Sequence, residues 1–332
     1  MNRPLGIIGA GAWGTALAIA AGHAGHPVRL WGRDTAAVQA MARDRVNRRN
    51  LPDCPLPDPV QPQPDLTALV AECDDLLLVV PSRAFESMLH TLAPLIERRH
   101  RLGWATKGLD AASGGLLSQV VQRVLKPLPP LAVLSGPSFA AEVGRGLPTA
   151  VTVAATDQGF ASDLADAFRY ERFRVYTSTD LVGVQLGGAV KNVLAIATGV
   201  ADGLGFGANA RAALITRGLA ETRRLSEALG ADPDTLTGLA GMGDLILTCT
   251  DDQSRNRRLG LALGRGEDLD EAVEAIGTVE GVRTADELHR LATQAGVEMP
   301  ICEQVHLRLA GRVSTREAVE NLLLRPGGRQ EQ

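Results

Sequence analysis

The sequence has few aromatic residues, few cysteines, no strong excess of either charge and only one long apolar run. Aromatic residues make up 3% of its 332 residues, and the formal net charge at pH 7 is −4. Because nucleic-acid binding depends on a basic surface, we expect no nucleic-acid partner. With 45% hydrophobic residues, the chain is long enough for two domains that each have a core.

The four cysteines lie far apart, at Cys54, Cys73, Cys249 and Cys302. This spacing lacks the close pairs of a zinc site and the density of a disulfide framework. We therefore expect reduced, structural cysteines and no metal. The first residues also lack the apolar core of a signal peptide, which predicts a cytoplasmic protein.

The one long apolar run, residues 181–201, contains a single charged residue, Lys191. The run approaches the roughly 20 residues of a membrane span, but Gln185, Lys191 and Asn192 interrupt it. A buried helix at the centre of a helical domain is the better interpretation, and no membrane span is predicted.

Lys191 is the candidate general acid or base. Burial lowers the pKa of a lysine towards the range in which it exchanges protons near neutral pH. For a lysine considered alone, a packed stem with the ammonium group in solvent or beside a structural carboxylate is the commoner explanation. Glycines in the same run, at positions 183, 187 and 188, favour the functional interpretation because they let backbone or ligand approach.

The N-terminal segment has the pattern of a dinucleotide-binding loop. A short apolar strand leads into Gly9, Gly11 and Gly14, and an alanine-rich helix follows. In this pattern the glycines permit the turn, the approach of a pyrophosphate and close helix packing, and the free N–H groups of the helix bind the anion. We therefore predict a site for NAD or NADP.

The residues after the second predicted strand, residues 27–31, bear on the choice of cofactor. NAD sites normally place a carboxylate there to bind the ribose hydroxyl groups, whereas this chain has Gly32, Arg33 and Asp34. Arg33 is suited to a 2′-phosphate, which favours NADP with NAD also accepted. The alternative is that Arg33 is a solvated loop residue.

Further apolar runs predict the buried strands of a mainly parallel sheet, with a mixed edge. They cover residues 75–80, 102–106, 131–134, 151–154 and 173–176. Ligands bind beyond the carboxyl ends of such strands, which places Lys107, Gly136 and Ser138 among the candidate ligand contacts. A solvated turn explains Lys107 equally well.

The remaining pattern predicts the fold class. The proline-rich residues 51–64 are expected to form a surface loop, and beyond residue 180 the apolar spacing is helical throughout. We predict an α/β protein: an N-terminal Rossmann-type doubly wound sheet followed by an all-helical C-terminal domain. The dinucleotide-binding domain is expected at residues 1–179 and the helical substrate domain at residues 180–332.

Two polar loops of the helical half are suited to a phosphorylated substrate. One brings Asp244 onto a glycine-rich turn, and the other concentrates Ser254, Arg255 and Asn256. Arginine offers a bidentate fork to phosphate oxygens, and serine and asparagine satisfy the others. Alone, the second loop is better explained as a solvated helix start. Together with a lysine and a nicotinamide cofactor, it favours a small phosphorylated substrate.

Longer motifs resemble those of the bacterial NAD(P)-dependent glycerol-3-phosphate dehydrogenases over almost the whole chain. They are Gly-Ala-Gly-Ala-Trp-Gly-Thr-Ala-Leu-Ala at 9–18, Trp-Ala-Thr-Lys-Gly-Leu at 104–109, Ser-Gly-Pro-Ser-Phe-Ala at 135–140, Gly-Val-Gln-Leu-Gly-Gly-Ala-Val-Lys-Asn-Val at 183–193, Gly-Phe-Gly-Ala-Asn-Ala-Arg at 205–211, Gly-Met-Gly-Asp-Leu at 241–245 and Ser-Arg-Asn-Arg-Arg at 254–258. The resemblance implies reversible hydride transfer between NAD(P)H and dihydroxyacetone phosphate, giving sn-glycerol 3-phosphate for phospholipid synthesis.

The resemblance also implies residue roles, with Lys191 as proton donor and acceptor. The implied substrate contacts are Lys107, Gly136, Ser138, Lys191, Asp244, Ser254, Arg255 and Asn256. The implied cofactor contacts are Gly9, Gly11, Ala12, Trp13, Gly14, Arg33, Lys107, Ala140, Arg255, Val279 and Glu280. Two departures concern the cofactor: Ala12 replaces a common serine and loses its hydroxyl contact, and residues 277–281 are one residue shorter than usual.

Two alternatives stay open. One is another reductase of this architecture, of the β-hydroxyacid or ketopantoate type, although the phosphate-suited loop at 254–256 disfavours a plain hydroxyacid. The other is a redox sensor that binds the dinucleotide without turnover, which would not need Lys191 together with Asp244 and Lys107. The apolar helical half could support a homodimer.

Overall fold

The computed structural model describes residues 3–324, which divide into two compact units. The first unit contains the described chain up to Lys107 together with Leu117–Leu181, and the second contains Gly108–Leu116 together with the described chain from Val182 onward. The sequence predicted one boundary, after residue 179. The structure differs in one segment, because residues 108–116 belong to the helical unit although they precede that boundary. Residues 325–332, the end of the predicted second domain, lie outside the described residues.

Strands of the first unit alternate with helices along the chain. The strands are β1 (Leu5–Ile8), β2 (Val28–Trp31), β3 (Val46–Asn47), β4 (Leu51–Pro55), β5 (Val60–Pro62), β6 (Asp75–Leu78), β7 (Arg101–Trp104), β8 (Leu131–Ser135), β9 (Thr149–Ala155) and β10 (Phe173–Ser178). Eight of them form one sheet in the order β10-β9-β8-β7-β6-β1-β2-β5, and β3 pairs with β4. Neighbours in the large sheet are parallel except β8 and β9. The predicted sheet with its mixed edge is confirmed.

The helices of this unit complete the crossovers that parallel strands require. They are α1 (Ala12–His23), α2 (Thr35–Asp44), α3 (Leu66–Glu72), α4 (Phe85–Leu92), α5 (Leu117–Val124), α6 (Ala140–Gly144) and α7 (Gln158–Phe168), with single 3-10 turns at Ser82–Ala84 and Ala93–Leu95. Aspartate side chains cap the starts of α2, α3 and α7. All five residues of β8 are buried, as expected of a strand covered on both faces.

The proline-rich segment is not the loop that the sequence predicted. Residues 51–64 contain β4 and β5, and β5 forms the edge of the large sheet beside β2. Edge strands tolerate proline because its missing N–H need not face a partner strand. The loop prediction was therefore wrong for these two strands.

The described part of the second unit is helical and has no strand, as predicted. Its helices are α8 (Leu181–Gly203), α9 (Gly207–Ala228), α10 (Asp244–Thr250), α11 (Arg255–Gly264), α12 (Leu269–Ile276), α13 (Glu280–Ala295), α14 (Pro300–Leu309) and α15 (Thr315–Leu323), with a 3-10 turn at Pro233–Thr237 and a π-helix at Leu239–Gly243. Helix α8 is long and apolar enough to span a membrane, but 89% of its most apolar window is buried in the protein. Such burial is typical of a core helix.

Candidate active site

The glycine loop after β1 leaves room for a ligand above its second glycine. Gly9 has a φ of +127°, and a Cβ there would lie 2.4 Å from the Val79 carbonyl oxygen. A Cβ on Gly14 would lie 1.9 Å from the Gly9 carbonyl oxygen, whereas a Cβ on Gly11 would meet nothing within 4 Å. The loop therefore needs glycine for its own packing at positions 9 and 14, and it is open at position 11.

Helix α1 starts directly at this open position. Its N-cap residue is Gly11, which has no side chain for the free N–H groups, and its first turn contains no acidic residue. A helix start of this kind attracts an anion. The indole N–H of Trp13 donates to the Ala105 carbonyl 3.2 Å away and fixes the first turn against the end of β7. These features fit the pyrophosphate of a dinucleotide.

The end of β2 disfavours the usual ribose-binding carboxylate. A Cβ on Gly32 would lie 2.9 Å from the Cβ of Ala10, so position 32 has no room for an acidic side chain. The carboxylate of Asp34 accepts a hydrogen bond from the Ala37 N–H at 3.0 Å and caps α2. Arg33 lies between these two residues and is exposed, so its guanidinium group is open to solvent.

Three predicted ligand contacts lie together where β7 and β8 end. The Lys107 ammonium group donates to the Gly136 carbonyl oxygen at 2.9 Å, and the Ser138 hydroxyl donates to the same oxygen at 2.8 Å. The Lys107 ammonium nitrogen also lies 5.9 Å from the ring centre of Trp13. Lys107 is thus held in place and is not a freely solvated turn residue. Ala140 begins α6 and is half-buried.

In the second unit, Lys191 forms a buried ion pair. Its ammonium nitrogen lies 2.5 Å from a carboxylate oxygen of Asp244, which is fully buried, and Lys191 itself is only 9% exposed. An ion pair out of water is costly unless its geometry and hydrogen bonds are good. The Thr248 hydroxyl, which donates to the Asp244 backbone carbonyl at 2.6 Å, adds to this polar cluster inside an apolar helical core.

The π-helix before α10 determines where Asp244 lies. A Cβ on Gly187 would lie 2.2 Å from the Ala240 carbonyl oxygen, so the backbone of the π-helix packs directly on α8 at this glycine. Gly187 and Lys191 are four residues apart and share one face of α8. The π-helix therefore ends beside Lys191, and Asp244 follows at once. Single π-turns of this kind are frequent at functional sites.

Helices α8 and α11 also approach each other through glycine. Gly199 and Gly203 of α8 face Gly260 and Gly264 of α11, and an added Cβ at any of the four would lie 2.2 to 2.5 Å from a backbone carbonyl oxygen of the other helix. This close contact is possible only without side chains. It fixes the loop that begins α11 beside the middle of α8.

A chain of amides connects three helices next to Lys191. The Asn256 side chain donates to the Asn192 side-chain oxygen at 2.9 Å and accepts from the Gly281 N–H of α13 at 2.8 Å. The Asn192 amide nitrogen is buried and has no hydrogen-bond partner among the described residues. Asn192 was noted in the sequence as a polar neighbour of Lys191 but was not among the predicted site residues. Its unsatisfied donor makes Asn192 a further candidate site residue.

The other predicted residues of this unit begin helices. The Ser254 hydroxyl accepts from the Arg257 N–H at 3.2 Å and caps α11, while Arg255 is exposed in the first turn. Val279 and Glu280 are the N-cap and the first residue of α13. Arg257, from the same polar run, is instead buried in ion pairs with Asp202 and Asp252, so its guanidinium group is already occupied within the second unit.

Two further buried carboxyl groups of the second unit have raised pKa values. Glu221 accepts hydrogen bonds from the first N–H groups of α14, Ile301 at 2.8 Å and Cys302 at 3.3 Å, and burial raises its pKa to about 7. Burial likewise raises the pKa of Glu287 to about 7. Neither group was predicted from the sequence, because both lie among ordinary helix-surface residues in the chain.

Comparison with known proteins identifies the family. A model described as NAD-dependent glycerol-3-phosphate dehydrogenase N-terminus matches residues 4–161, and one described as its C-terminus matches residues 180–320. The chain belongs to the NAD-dependent glycerol-3-phosphate dehydrogenase family. The resemblance expected from the motifs is thereby confirmed.

Individual members of the glycerol-3-phosphate dehydrogenase family match nearly the whole chain. The proteins named glycerol-3-phosphate dehydrogenase (NAD(P)+) from Halorhodospira halophila and Thioalkalivibrio sulfidiphilus are 58% and 59% identical, over 98% and 96% of both chains. The crystal structure of glycerol-3-phosphate dehydrogenase from Coxiella burnetii has a TM-score of 0.93 at 48% identity, covering 98% of this chain and 99% of that one. A ketopantoate reductase from Ralstonia eutropha, at 18% identity and a TM-score of 0.59, shares the fold alone.

Proposed function

We propose that this protein catalyses reversible hydride transfer between NAD(P)H and dihydroxyacetone phosphate, giving sn-glycerol 3-phosphate for glycerophospholipid synthesis. The observation that carries the proposal is the buried Lys191–Asp244 pair in a chain of the glycerol-3-phosphate dehydrogenase family. Membership of a dehydrogenase family also argues against the sensor alternative.

Lys191 acts as the proton donor for the ketone. When the carbonyl carbon receives a hydride, negative charge develops on its oxygen, and a cation in a site of low dielectric stabilises that charge strongly. The Lys191 ammonium group supplies this cation and then the proton, and it takes a proton back in the reverse direction. Asp244 keeps the lysine charged and oriented, since it is its buried counter-ion.

The substrate phosphate is bound by residues at the start of α11. Arg255 is exposed and supplies a guanidinium fork, while Ser254 and Asn256 offer a hydroxyl and an amide. Lys107, Gly136, Ser138 and Asp244 complete the proposed substrate set. Binding energy from the phosphate is remote from the reacting carbon and orients the ketone for transfer. The unsatisfied amide nitrogen of Asn192 is a further donor for a substrate oxygen.

The cofactor, NADP or NAD, supplies the hydride. Its proposed contacts are Gly9, Gly11, Ala12, Trp13, Gly14, Arg33, Lys107, Ala140, Arg255, Val279 and Glu280. The open position at Gly11 and the uncapped start of α1 support the pyrophosphate contacts. The lack of space at Gly32 and the exposed Arg33 support a preference for NADP, because a 2′-phosphate needs a cation and no carboxylate nearby.

The substrate assignment is tested by following NADPH oxidation at 340 nm. Dihydroxyacetone phosphate should be reduced rapidly, whereas unphosphorylated dihydroxyacetone should lose most of the rate because it lacks the phosphate contacts. An Arg255→Ala variant should reduce the two ketones at more similar rates, because it loses a phosphate contact. Turnover of ketopantoate but not of dihydroxyacetone phosphate would overturn the assignment in favour of the related reductases.

We also propose that the protein acts as a cytoplasmic homodimer without a membrane span. Exposed apolar side chains of the second unit, including Leu204, Phe206 and Leu323, support a subunit contact. The four cysteines are free and buried, which suits a reducing compartment. Light scattering that gave the mass of one chain would contradict the dimer, and recovery in washed membranes would contradict the compartment.

A further inference from the structure

The β3–β4 hairpin is tied to the glycine loop by two asparagine side chains. The Asn47 amide donates to the Ala10 carbonyl oxygen at 3.0 Å and to the Thr15 hydroxyl at 2.8 Å. The Asn50 amide donates to the same Ala10 oxygen, also at 3.0 Å. Asn47 is only 4% exposed, and its side-chain oxygen accepts from the Asn50 N–H at 3.2 Å. The two amides therefore converge on one backbone carbonyl.

That carbonyl belongs to the peptide between the first two glycines of the motif. The Ala10–Gly11 peptide is trans, and in a trans peptide the C=O and N–H bonds point in opposite directions. Because the hairpin amides hold the Ala10 oxygen on one side, the Gly11 N–H must face the other side. Position 11 is open on the loop surface, with nothing within 4 Å of a Cβ there.

We propose that Asn47 and Asn50 are positioning residues for the dinucleotide: they hold the Ala10–Gly11 peptide so that the Gly11 N–H faces the pyrophosphate. The inference rests on the proposed function for the identity of the cofactor. The glycines on both sides of Ala10 allow this peptide more backbone conformations than other residues would, so contacts from outside the motif help to fix its direction. Loop N–H groups bind a phosphate well only when they are oriented before it arrives.

The test is the affinity for NADPH of variants that remove the donors without adding charge. Asn50 is exposed, so Asn50→Ala should fold, and its NADPH Kd should rise about fivefold, the value of one net hydrogen bond. Asn47→Leu should raise the Kd at least as much. The turnover number at saturating NADPH should stay at the wild-type value in both variants, since the reacting groups are untouched.

Two controls separate orientation of the peptide from loss of stability. Thr15→Val removes the Asn47–Thr15 bond but keeps both bonds to Ala10, so its Kd should change less than that of Asn47→Leu. Asn321→Ala removes an exposed amide bond to Gln304 on the helical unit and should leave the Kd unchanged.

The proposal is overturned if Asn50→Ala binds NADPH as tightly as the wild type, or if Thr15→Val weakens binding as much as Asn47→Leu. If the wild type binds NADPH and NADH equally poorly, with no saturation of cofactor fluorescence, the proposed function fails and this proposal fails with it. If the wild type binds NADPH normally and the variants have the same Kd, the positioning role fails and the proposed function stands.

Discussion

Replacing Gly187 with alanine tests how Asp244 is brought to Lys191. The new Cβ would lie 2.2 Å from the Ala240 carbonyl oxygen, which is more than about 1 Å short of an ordinary contact. Because that atom belongs to the backbone, the π-helix must move away from α8. Overpacking of this kind costs about 1–3 kcal/mol, and the better helix propensity of alanine offsets roughly 1 kcal/mol of it.

The effect on turnover should exceed the effect on stability. A displacement of the π-helix moves Asp244 relative to Lys191, and a misplacement of about 1 Å at a reacting centre can lower the rate on the order of 100-fold. We therefore expect Gly187→Ala to lose about that factor in kcat, while its free energy of unfolding falls by no more than about 2 kcal/mol.

Steady-state kinetics and urea unfolding of the same preparation measure both quantities. Gly159→Ala is the matched control, since Gly159 also lies in a helix but its added Cβ would meet only a side-chain oxygen of Asp157, the N-cap of the same helix, at 3.1 Å. The control should keep its kcat. A Gly187→Ala variant that turned over within twofold of the wild type would refute the claim that this contact sets the ion pair.

Three further outcomes are expected from single substitutions. Asp244→Asn should lower the free energy of unfolding by about 3–5 kcal/mol in urea titrations, because it leaves a buried ammonium group without its counter-ion; an unchanged midpoint would contradict the buried pair. Arg33→Ala should raise the Kd for NADPH on the order of tenfold and leave that for NADH unchanged, and equal changes for both cofactors would exclude a contact to the 2′-phosphate. The pKa of Glu287 is raised from 4.5 to about 7 by burial, so the folded protein holds a proton that the unfolded chain releases, and stability should fall as pH rises from about 4.5 to 7 and then level off. Burial raises the pKa of Glu221 to about 7 as well, so Glu287→Gln should make this fall smaller by the contribution of one carboxyl group, on the order of 3 kcal/mol, and unfolding curves of equal pH dependence in both proteins would refute it.

Local signals in the sequence were enough to predict the glycine loop and most strands of the first unit. The turn at Gly9 and the buried strands on either side of it depend on neighbouring residues, so the motif and the strand spacing predicted them correctly. The proline-rich strands were missed because proline argues against strands in general and is accepted only at an edge, and the position of an edge depends on the whole sheet.

Contacts between residues far apart in the chain could not be predicted from the sequence. Lys191 and Asp244 were both predicted, but the contact of Gly187 with Ala240 that brings them together joins residues more than fifty positions apart in the chain. The role proposed for Asn47 could not be predicted either, because it depends on a hydrogen bond to the carbonyl oxygen of Ala10, which is also distant in the chain. The excursion of residues 108–116 into the second unit was missed because these residues have no periodicity that assigns them to either unit.

The central claim is that Lys191 donates the proton to the developing alkoxide. The most direct test is a single-turnover measurement of NADPH oxidation by Lys191→Ala with saturating dihydroxyacetone phosphate, with the NADPH Kd measured in parallel. We predict a rate lower by about 100-fold to 10,000-fold, with a Kd within twofold of the wild type. Hydride transfer within tenfold of the wild-type rate would contradict the role assigned to Lys191.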